Sequence, residues 1–449
     1  MHSRPDEQIR YFHPGKAHMD RKRRVEFREW QVVTSPWARH PMGFIKAFDY
    51  VKDHPKDFQK LDKQIRDHWE SIKQPVWEYN HKVAFKNKLE SILAAFLNRP
   101  LALVITGSTV SGVGTANSDA DITLCAPEII HPLNCDYDED GRIVALTRDE
   151  RRRRIGIVLR RCRKALEEAN LGITVTFVDA QIPLLKMKGT TVDEVTGNSF
   201  EMEVDLSLSN EVFISGLHNT HLIKGYTKVD ERFAPLVTLV KKWSWISGVR
   251  DPQRRRFNSY AMTLLVIHFL QCGLPRPILP NLQALYSGFY ALGEDCFPER
   301  VDLDADPPEP LQDLVGLDPV DLSVAELFYL FVAYFATIDL HHNVIRIKCG
   351  RISKRDKNDG RFPRYEAENM YDDDRDGHDV KLTPWNHRFH EVYIEDPIDE
   401  HNPGRTVDDW EIIRNAFADT LHVFNRLDDK GEAEIFGFPD LEDLTGSIE

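Results

Sequence analysis

The chain has 449 residues, of which 41% are hydrophobic and 29% charged, and its formal net charge is -14 at pH 7. No apolar run approaches the ~18 residues needed to span a bilayer, and the first residues lack the apolar core of a secretory signal. Six cysteines occur without any Cys-x-x-Cys pair, which argues against a zinc site and favours a reducing compartment. We therefore expect a cytoplasmic globular protein of about two or three domains.

Helical patterns precede the first strand. A polar arm of residues 1–35 leads into apolar residues at helical spacing between about 41 and 97, where Phe44 and Val51 share one face. An apolar run at 101–105 then predicts the first strand.

The stretch from Gly107 to Asp121 carries the strongest chemical signal. The chain leaves the first strand at Gly107-Ser108, passes through a glycine-rich segment and enters a second strand at Asp119. Carboxylates at positions i and i+2 of a strand point to the same face, where they repel each other. Mg²⁺ relieves such repulsion and binds through one or two carboxylates plus substrate phosphates, and small residues let backbone N–H groups approach a phosphate. For the Asp-x-Asp pair alone, an ordinary polar strand start is the alternative.

A loop and a long helix follow. Residues 125–141 are rich in Pro, Asn and Asp, which predicts a loop. Residues 147–170 predict a helix, because Thr147 and Glu150 have the spacing of a capping box and apolar residues recur on one face.

Three further strands are predicted. Residues 171–178 are β-branched, and Pro183 marks 182–188 as an edge strand. Residues 200–208 alternate between apolar and polar or acidic side chains. Asp205 lies on the polar face and becomes the candidate third carboxylate if this strand pairs beside the Asp-x-Asp strand; a solvent-facing acid is the alternative.

Beyond these strands the chain is predicted to be mostly helical. Residues 302–319 predict a Pro/Asp-rich linker, and 354–379, which have little apolar content, predict a mobile loop. Asn258 is a suitable cap for an apolar helix. The apolar patterns predict helices at 232–246, 258–270, 324–338 and 407–426.

Ordered blocks of the chain resemble one family, the template-independent RNA nucleotidyltransferases, which comprise cytoplasmic poly(A) polymerases and terminal uridylyltransferases. Gly107 to Asp121 matches the family signature G-S-x-x-x-G-x-G-x-x-x-S-D-x-D, and the resemblance covers roughly residues 85–425. The other blocks are the Asp205 strand, His218-Asn219-Thr220, Val240-Lys241-Lys242-Trp243, Asn258-Ser259-Tyr260, 277–282, Ile394-Glu395-Asp396-Pro397 and Asn402-Pro403-Gly404-Arg405-Thr406.

The resemblance implies an α/β plus α, bilobal fold. A polymerase β-like nucleotidyltransferase domain with a mixed sheet would be inserted in a mainly helical, poly(A)-polymerase-associated central domain, with the nucleotide in the cleft between them. The predicted division is a polar arm at 1–35, N-terminal helices of the helical domain at 36–94, the catalytic domain at 95–206, the helical domain at 207–428 and an acidic tail at 429–449.

The resemblance also implies roles for individual residues. Asp119, Asp121 and Asp205 would hold two Mg²⁺ ions, with Mn²⁺ as an alternative, and Asp205 would help to deprotonate the RNA 3′ hydroxyl. The family often has a second lysine one turn after Lys241; here that position is Trp245, so Lys242 or another cation would replace it. The implied nucleotide contacts are Gly107, Ser108 and Ser118 of the signature, Asn219 and Thr220 at the ribose, Lys241 and Lys242 at the triphosphate, Ser259 at the phosphate end, Tyr260 under the base, and Asp399 and His401.

His401 bears on the choice of nucleotide. Uridylyltransferases of this family commonly have His-Asn after the E-D-P segment, where the imidazole can donate to a uracil carbonyl and obstruct adenine, and their poly(A) relatives lack this histidine. The chain has His401-Asn402, in a loop one residue shorter than in many uridylyltransferases. We predict a terminal uridylyltransferase that uses UTP; a poly(A) polymerase that uses ATP and a catalytically silent RNA-binding scaffold are the alternatives.

The expected partners are an RNA 3′ end and UTP, with a protein adaptor as a further expectation because no separate RNA-recognition module is visible. A basic helix is the candidate RNA track, and binding there should weaken as salt rises. The candidate RNA contacts are Arg151, Arg154, Arg160, Arg161, Arg163, Lys164 and Arg405.

Overall fold

Two large hydrophobic cores organise the part of the chain that the computed structural model describes. One lies under a mixed β-sheet and the other inside a helical bundle. No helix among the described residues is long and apolar enough to cross a membrane. The described residues are 42–98, 101–125, 135–137, 143–180, 182–192, 197, 199–208, 215–290, 301, 303, 305, 321–340, 343–354, 391–398 and 402–425.

Three helices open the described chain, as the helical spacing predicts: α1 (Met42–Asp53), α2 (Pro55–Ile72) and α3 (Val76–Leu97). The buried side chains of α1 and α2 belong to the helical core. Helix α3 instead buries Leu89 and Leu93 beneath the sheet. The N-terminal helices, predicted to belong to the helical domain as a group, therefore divide between the two cores, because the apolar positions of α3 face the sheet.

The sheet part contains seven strands and two helices in its described residues. In chain order they are β1 (Ala102–Thr106), the single-turn helix α4 (Ser108–Ser111), β2 (Ala120–Cys125), β3 (Cys135–Tyr137), β4 (Ile143–Ala145), α5 (Arg148–Glu168), β5 (Thr174–Val178), β6 (Leu184–Val192) and β7 (Ser199–Leu208).

The main sheet has the strand order β1-β2-β7-β6-β5. Strands β2 and β7 are parallel, and the other neighbours are antiparallel. The predicted alternation of the last strand is confirmed, since Met202, Val204, Leu206 and Leu208 are all buried. The opposite face of β7 is left for Asp205, which lies in the middle of the sheet and not at its edge.

Two strand predictions need correction. The composition predicts a loop at 125–141, but β3 pairs with β4, and Tyr137 lies opposite the β-branched Ile143. The proline predicts an edge strand, but β6 lies between β7 and β5. Pro183 comes just before the strand begins at Leu184, so its missing N–H removes no hydrogen bond from the ladder.

Helix α5 begins as its sequence predicts. The Glu150 backbone N–H donates to Thr147 Oγ1 at 3.4 Å, and the Thr147 N–H donates to Glu150 Oε2 at 3.1 Å, which completes the capping box. Leu159, Cys162 and Leu166 are buried in the core of the sheet. The helix packs against α3, β5 and β6, so its apolar stripe covers the sheet and its arginines lie outside that stripe.

The helical part is built around one apolar helix, α11. Its residues from Val324 to Phe335 are buried except Glu326, as expected for a helix that is apolar all round, and it packs against α1, α2, α7 and α12. The predicted helices are confirmed with small shifts of their ends. The elements are α6 (Ser215–Val229), α7 (Phe233–Ile246), α8 (Ser259–His268), α9 (Leu282–Leu285), α10 (Ser287–Tyr290), α11 (Val324–Thr337), β8 (Asn343–Arg346), β9 (Arg351–Lys354), β10 (Tyr393–Glu395) and α12 (Trp410–Asn425).

Several predicted segments lie outside the described residues. They include the arm at 1–35, the tail at 429–449, most of the linker at 302–319 and, apart from Lys354, the loop at 354–379. The structure therefore leaves these predictions as they stand.

Candidate active site

Three carboxylates come together where β2 and β7 run side by side. Asp121 on β2 lies in register with Asp205 on β7, and Asp119 comes directly before β2. One carboxylate oxygen of each residue lies within 4.8 Å of those of the other two. The parallel register places these side chains on one face, as the i, i+2 spacing predicts.

The carboxylates destabilise one another's charge. Burial, and after it the charges of Asp119 and Asp205, raises the pKa of Asp121 to about 6. Burial also raises the pKa of Asp205, while Lys186 opposes that rise. Asp205 Oδ1 is buried and has no hydrogen-bond partner, and Lys186 Nζ lies 4.0 Å from it. An oxygen-only donor set with an unsatisfied buried oxygen suits a hard divalent cation such as Mg²⁺.

Gly107 lies directly against this cluster. Its φ of 76° falls where side chains are strained, and a Cβ at this position would collide with the carboxylate of Asp121. Its backbone N–H donates to Thr220 Oγ1 on α6 at 2.8 Å. The turn that contains Ser108 is thus closed on one side by the carboxylates and on the other by the helical part.

A buried ion pair holds the turn before Asp119. Lys82 and Glu78 on α3 are each 1% exposed, with Lys82 Nζ 2.8 Å from Glu78 Oε1. Lys82 Nζ donates to the Ser118 carbonyl at 2.6 Å and lies 3.4 Å from its hydroxyl, and the Asn117 N–H donates to Glu78 Oε2 at 3.0 Å. Ser118 therefore has an internal partner that shapes the turn, and its predicted contact with the nucleotide stays a prediction.

The two predicted ribose contacts differ in what they offer. Thr220 is 2% exposed, and its hydroxyl donates to the Gly216 carbonyl at 2.6 Å while accepting from the Gly107 N–H. Because its one proton is used, Thr220 is better suited to hold the turn than to contact a ribose. Asn219 Oδ1 has no hydrogen-bond partner, so it is available to a ribose hydroxyl. The ribose contacts of both residues stay predictions.

The predicted phosphate contacts on α7 and α8 have different neighbours. Lys241 and Ser259 both approach Arg250: the charge of Arg250 acts on Lys241, and Arg250 Nη1 donates to Ser259 Oγ at 2.9 Å. The charge of Lys242, after burial, lowers the pKa of His68 on α2. Consecutive helical residues face different directions, so Lys241 and Lys242 have different neighbours. The prediction that Lys242 or another cation supplies a second phosphate contact stays a prediction.

Tyr260 connects α8 to the segment after β10. Its hydroxyl donates to Asp396 Oδ2 at 2.9 Å, and the buried Asp396 also accepts from the Ile398 N–H at 2.8 Å. Its ring is half-buried and packs against the helical core, which leaves part of the ring for a base. Asp399 and His401 lie outside the described residues, so their predicted contacts remain sequence-based.

The basic helix has fewer free charges than its sequence implies. Arg163 pairs with Glu167 at 2.8 Å and Lys164 with Glu168 at 3.8 Å, both along α5, and Arg160 stacks on Phe177 with 4.2 Å to the ring centroid. Among the other candidates on this helix, Arg151 and Arg154 are half-buried and Arg161 is exposed. Arg405 is also exposed, near the end of the segment after β10. The RNA track stays a prediction.

Four residues near the site were not selected from the sequence: Lys82, Glu78, Lys186 and Arg250. A signal existed for Lys186, because Lys186 alternates with the buried Leu185 on β6 and therefore shares the polar face of the sheet. The other three lie in helix or loop sequences where a charged residue is ordinarily solvent-exposed.

Comparison with known families and sequences gives one consistent assignment. Residues 61–228 match the family model for the central palm domain of mitochondrial-like poly(A) RNA polymerase. The chain is 27% identical over 382 residues to poly(A) RNA polymerase gld-2 homolog B of Drosophila melanogaster, covering 82% of this chain and 24% of that protein. It is 27% identical over 362 residues to poly(A) RNA polymerase GLD2-B of Xenopus laevis, covering 80% of this chain and 59% of that protein. The chain thus spans less than two thirds of these relatives.

Solved structures show which fold the chain has. A cytoplasmic RNA terminal U-transferase superposes with a TM-score of 0.54 at 22% identity, over 82% of this chain and 94% of that one. GLD-2 in a complex with RNP-8 superposes with a TM-score of 0.51 at 25% identity, over 66% of this chain and 81% of that one. The likeness to the first shows the fold alone. The chain thus resembles poly(A) RNA polymerases in sequence over most of its length, and it has the polymerase β-like nucleotidyltransferase fold of the solved terminal U-transferase.

Proposed function

We propose that this protein transfers nucleotides to RNA 3′ ends without a template. The observation that carries the proposal is the juxtaposition of Asp119, Asp121 and Asp205, with oxygens within 4.8 Å of one another, beside the Gly107 turn. Carboxylates of this kind hold the divalent ions that phosphoryl transfer requires. A catalytically silent scaffold would have no need of the complete carboxylate set.

The proposed reaction joins the RNA 3′ oxygen to the α-phosphorus of the nucleotide. The bond between that phosphorus and the oxygen bridging to the β-phosphate breaks, and pyrophosphate leaves. Asp205 accepts the proton of the 3′ hydroxyl, and Asp119 and Asp121 orient the reacting groups. Two Mg²⁺ ions, or Mn²⁺ in their place, would supply the positive charge that stabilises the attacking and leaving oxygens. Asn219 binds the ribose and Tyr260 supports the base.

UTP is the proposed nucleotide. The proposal rests on His401 and Asn402, whose order in the sequence matches uridylyltransferases. Tyr260 adds support, because its hydrogen bond to Asp396 ties the base platform to the chain five residues before His401. Imidazole donates to a uracil carbonyl and leaves less room for a purine.

ATP is the second candidate. The observation in its favour is that the curated relatives reported above are poly(A) RNA polymerases. Both candidates share the carboxylates and the phosphate contacts, so they differ only at the base.

The decisive experiment incubates the protein with a short RNA, Mg²⁺ and each of the four nucleoside triphosphates separately. We expect extension with UTP; long products with ATP and none with UTP would replace our first candidate by the second. Asp121→Ala should abolish extension with every nucleotide, whereas Asp419→Ala, an exposed acid on α12, should leave it unchanged. Activity that persists in Asp121→Ala would refute the assignment of the carboxylates.

The base assignment has its own test. His401→Ala should raise the ratio of kcat/KM for ATP to that for UTP, because it removes both the donor and the obstruction. The ratio is measured with each nucleotide alone and a single RNA. An unchanged ratio would show that His401 does not select between UTP and ATP, and it would leave the proposed transferase activity unaffected.

Selection of the RNA is proposed to depend on an adaptor protein in the cytoplasm. The solved complex of GLD-2 with RNP-8 is one case of a relative that has a protein partner. In this chain, the ion pairs along α5 reduce the charge available for RNA. An adaptor would supply the contacts that the described surface lacks.

A further inference from the structure

A pair of cations lies beside the first turn of α8. Arg250 follows α7, and its Nη1 donates to Ser259 Oγ at 2.9 Å. Its guanidinium lies over the ring of Trp245, 5.4 Å from the centroid. Its backbone N–H donates to the Ser244 carbonyl at 2.7 Å, which fixes the loop against α7. The positive charge of Arg250 also acts on Lys241, which lies one turn before Trp245 on α7 and whose pKa it lowers.

Neither cation of this pair has an acidic partner among the described residues. Arg250 Nε is buried and forms no hydrogen bond. Two other arginines of the same loop do have acidic partners: Arg254 lies 3.5 Å from Asp251, and Arg255 lies 3.2 Å from Asp408. Buried charges are costly unless they are paired. Two partly buried cations that lack an acidic partner therefore indicate a site for an anion.

The electrostatics of Lys241 agree with this interpretation. Burial, and after it the positive charge of Arg250, lowers the pKa of Lys241 to about 8. Burial likewise lowers the pKa of Arg250. Two like charges that destabilise each other are relieved when a strongly anionic group binds between them.

We propose that Arg250, together with Lys241 and Ser259, binds the triphosphate of the incoming nucleotide. This inference rests on the proposed function and names the second phosphate cation, which the sequence left as Lys242 or another cation. The guanidinium is suited to the task because its planar fork can donate two hydrogen bonds to one phosphate. Trp245 provides a flat wall that keeps the fork in one orientation, and Ser259 holds one of its nitrogens.

The position of Arg250, Lys241 and Ser259 in the fold supports their assignment to the triphosphate. Helix α7 packs against α6, and α6 carries Thr220, which holds the Gly107 turn beside the carboxylates. Ser259 begins the helix whose next residue, Tyr260, is the proposed base platform. A nucleotide with its base at Tyr260 thus has its phosphates within the region bounded by α6, α7 and the start of α8.

The test measures equilibrium binding by calorimetry, without RNA and with a chelator present so that no divalent ion takes part. Inorganic tripolyphosphate, UTP and uridine are the probes. Arg250→Ala should weaken binding of tripolyphosphate and UTP by about tenfold or more, as expected for a charged hydrogen-bond partner worth at least about 1.4 kcal/mol, and should leave uridine binding unchanged. Arg250→Lys should recover part of the loss.

Arg254→Ala is the matched control, because it removes one positive charge from the same loop and its side chain is 85% exposed. It should change tripolyphosphate binding by less than about twofold. Thermal unfolding verifies that each variant is folded, and Arg250→Gln serves as a second variant if Arg250→Ala is not.

The outcomes separate this inference from the proposed function. Wild-type affinity of Arg250→Ala and Arg250→Gln for tripolyphosphate would overturn the inference, even if the protein extends RNA. Arg250-dependent binding in a protein that extends no RNA would support the phosphate site and refute the proposed function. A raised KM for the nucleotide with little change in kcat would support both.

Discussion

At the scale of single residues, the site is most constrained at Gly107. Its φ of 76° and ψ of -154° lie in a region that is almost confined to glycine, and its missing side chain leaves room for the Asp121 carboxylate. Both features are needed at once, so the turn and the cluster of carboxylates fix each other.

Gly107→Ala should therefore abolish or strongly reduce nucleotide transfer, because the new Cβ displaces a carboxylate. Strain should lower the free energy of unfolding by about 1–3 kcal/mol. Gly172→Ala is the control: its φ of 72° is also positive, but nothing lies within 4 Å of an added Cβ. Activity and chemical denaturation are measured for both. Equal activity in the two variants would show that the contact with Asp121 is unimportant.

The ionisation of Lys241 sets a second expectation at this scale. The unbound pKa is about 8, lowered by burial and by Arg250, and only the protonated form attracts a phosphate. Affinity for tripolyphosphate should therefore be greatest below pH 8 and fall by up to about tenfold per pH unit above it. Lys241→Arg, which stays charged, should flatten the dependence. Calorimetry between pH 7 and 10 checks this, and a steep fall that persists in Lys241→Arg would point to another group.

At the scale of elements, helix α3 serves both the sheet core and the site. Leu89 and Leu93 fill the core, and one turn of the helix places Glu78 and Lys82 against the segment before Asp119. Their charges are almost completely buried and are satisfied by Asn117 and Ser118.

Removing one charge of this pair should be severe. Lys82→Met leaves the Glu78 carboxylate buried without its cation and should lower the free energy of unfolding by about 3–5 kcal/mol. The double variant Glu78→Leu with Lys82→Met should recover much of that stability but not the activity, because the contacts to the turn are still missing. The control is Lys86→Met on the same helix, whose partly exposed pair with Glu90 should contribute about 1 kcal/mol or less. Full activity of the double variant would mean that the pair only stabilises α3.

Periodicity predicted most elements because their burial patterns are local. The strand of Asp205 and the cap of α5 follow from residues within one segment. The partners of Ser118 and Thr220 do not, because they lie on elements that are distant in sequence: Thr220 binds Gly107 across 113 positions, and Lys82 binds Ser118 across 36. A motif match selects residues such as Ser118 and Thr220, but it cannot tell a ligand contact from a contact that shapes the turn.

Pro183 illustrates the same limit for an element. A proline inside a strand does indicate an edge, but one position earlier it has no effect on pairing. Where a strand begins depends on tertiary contacts that lie outside the segment itself. Strand β6 begins one residue after Pro183, and this is compatible with its place inside the sheet.

At the scale of the whole molecule, the two cores meet at the Gly107 turn. The Gly107 N–H donates to Thr220, and the Thr227 hydroxyl lies 3.3 Å from the Ser111 carbonyl. Helix α6 thus carries two contacts from the helical part to the segment that leads to the carboxylates. The proposed base and phosphate contacts belong to one part and the carboxylates to the other, so the proposed reaction would require that the two parts keep a fixed relative position.

Thr220→Val tests that coupling with almost no change in side-chain shape. It leaves the Gly107 N–H without its acceptor and should lower the free energy of unfolding by about 1–3 kcal/mol. Because the turn is then free to move relative to the nucleotide, kcat should fall more than the affinity for tripolyphosphate, which depends on Arg250 and Lys241. Thr227→Val removes the longer contact on the same helix and should have the smaller effect on both quantities. If Thr220→Val kept the wild-type kcat, the register of the two parts would have to be set by other contacts, with α6 serving only to pack them together.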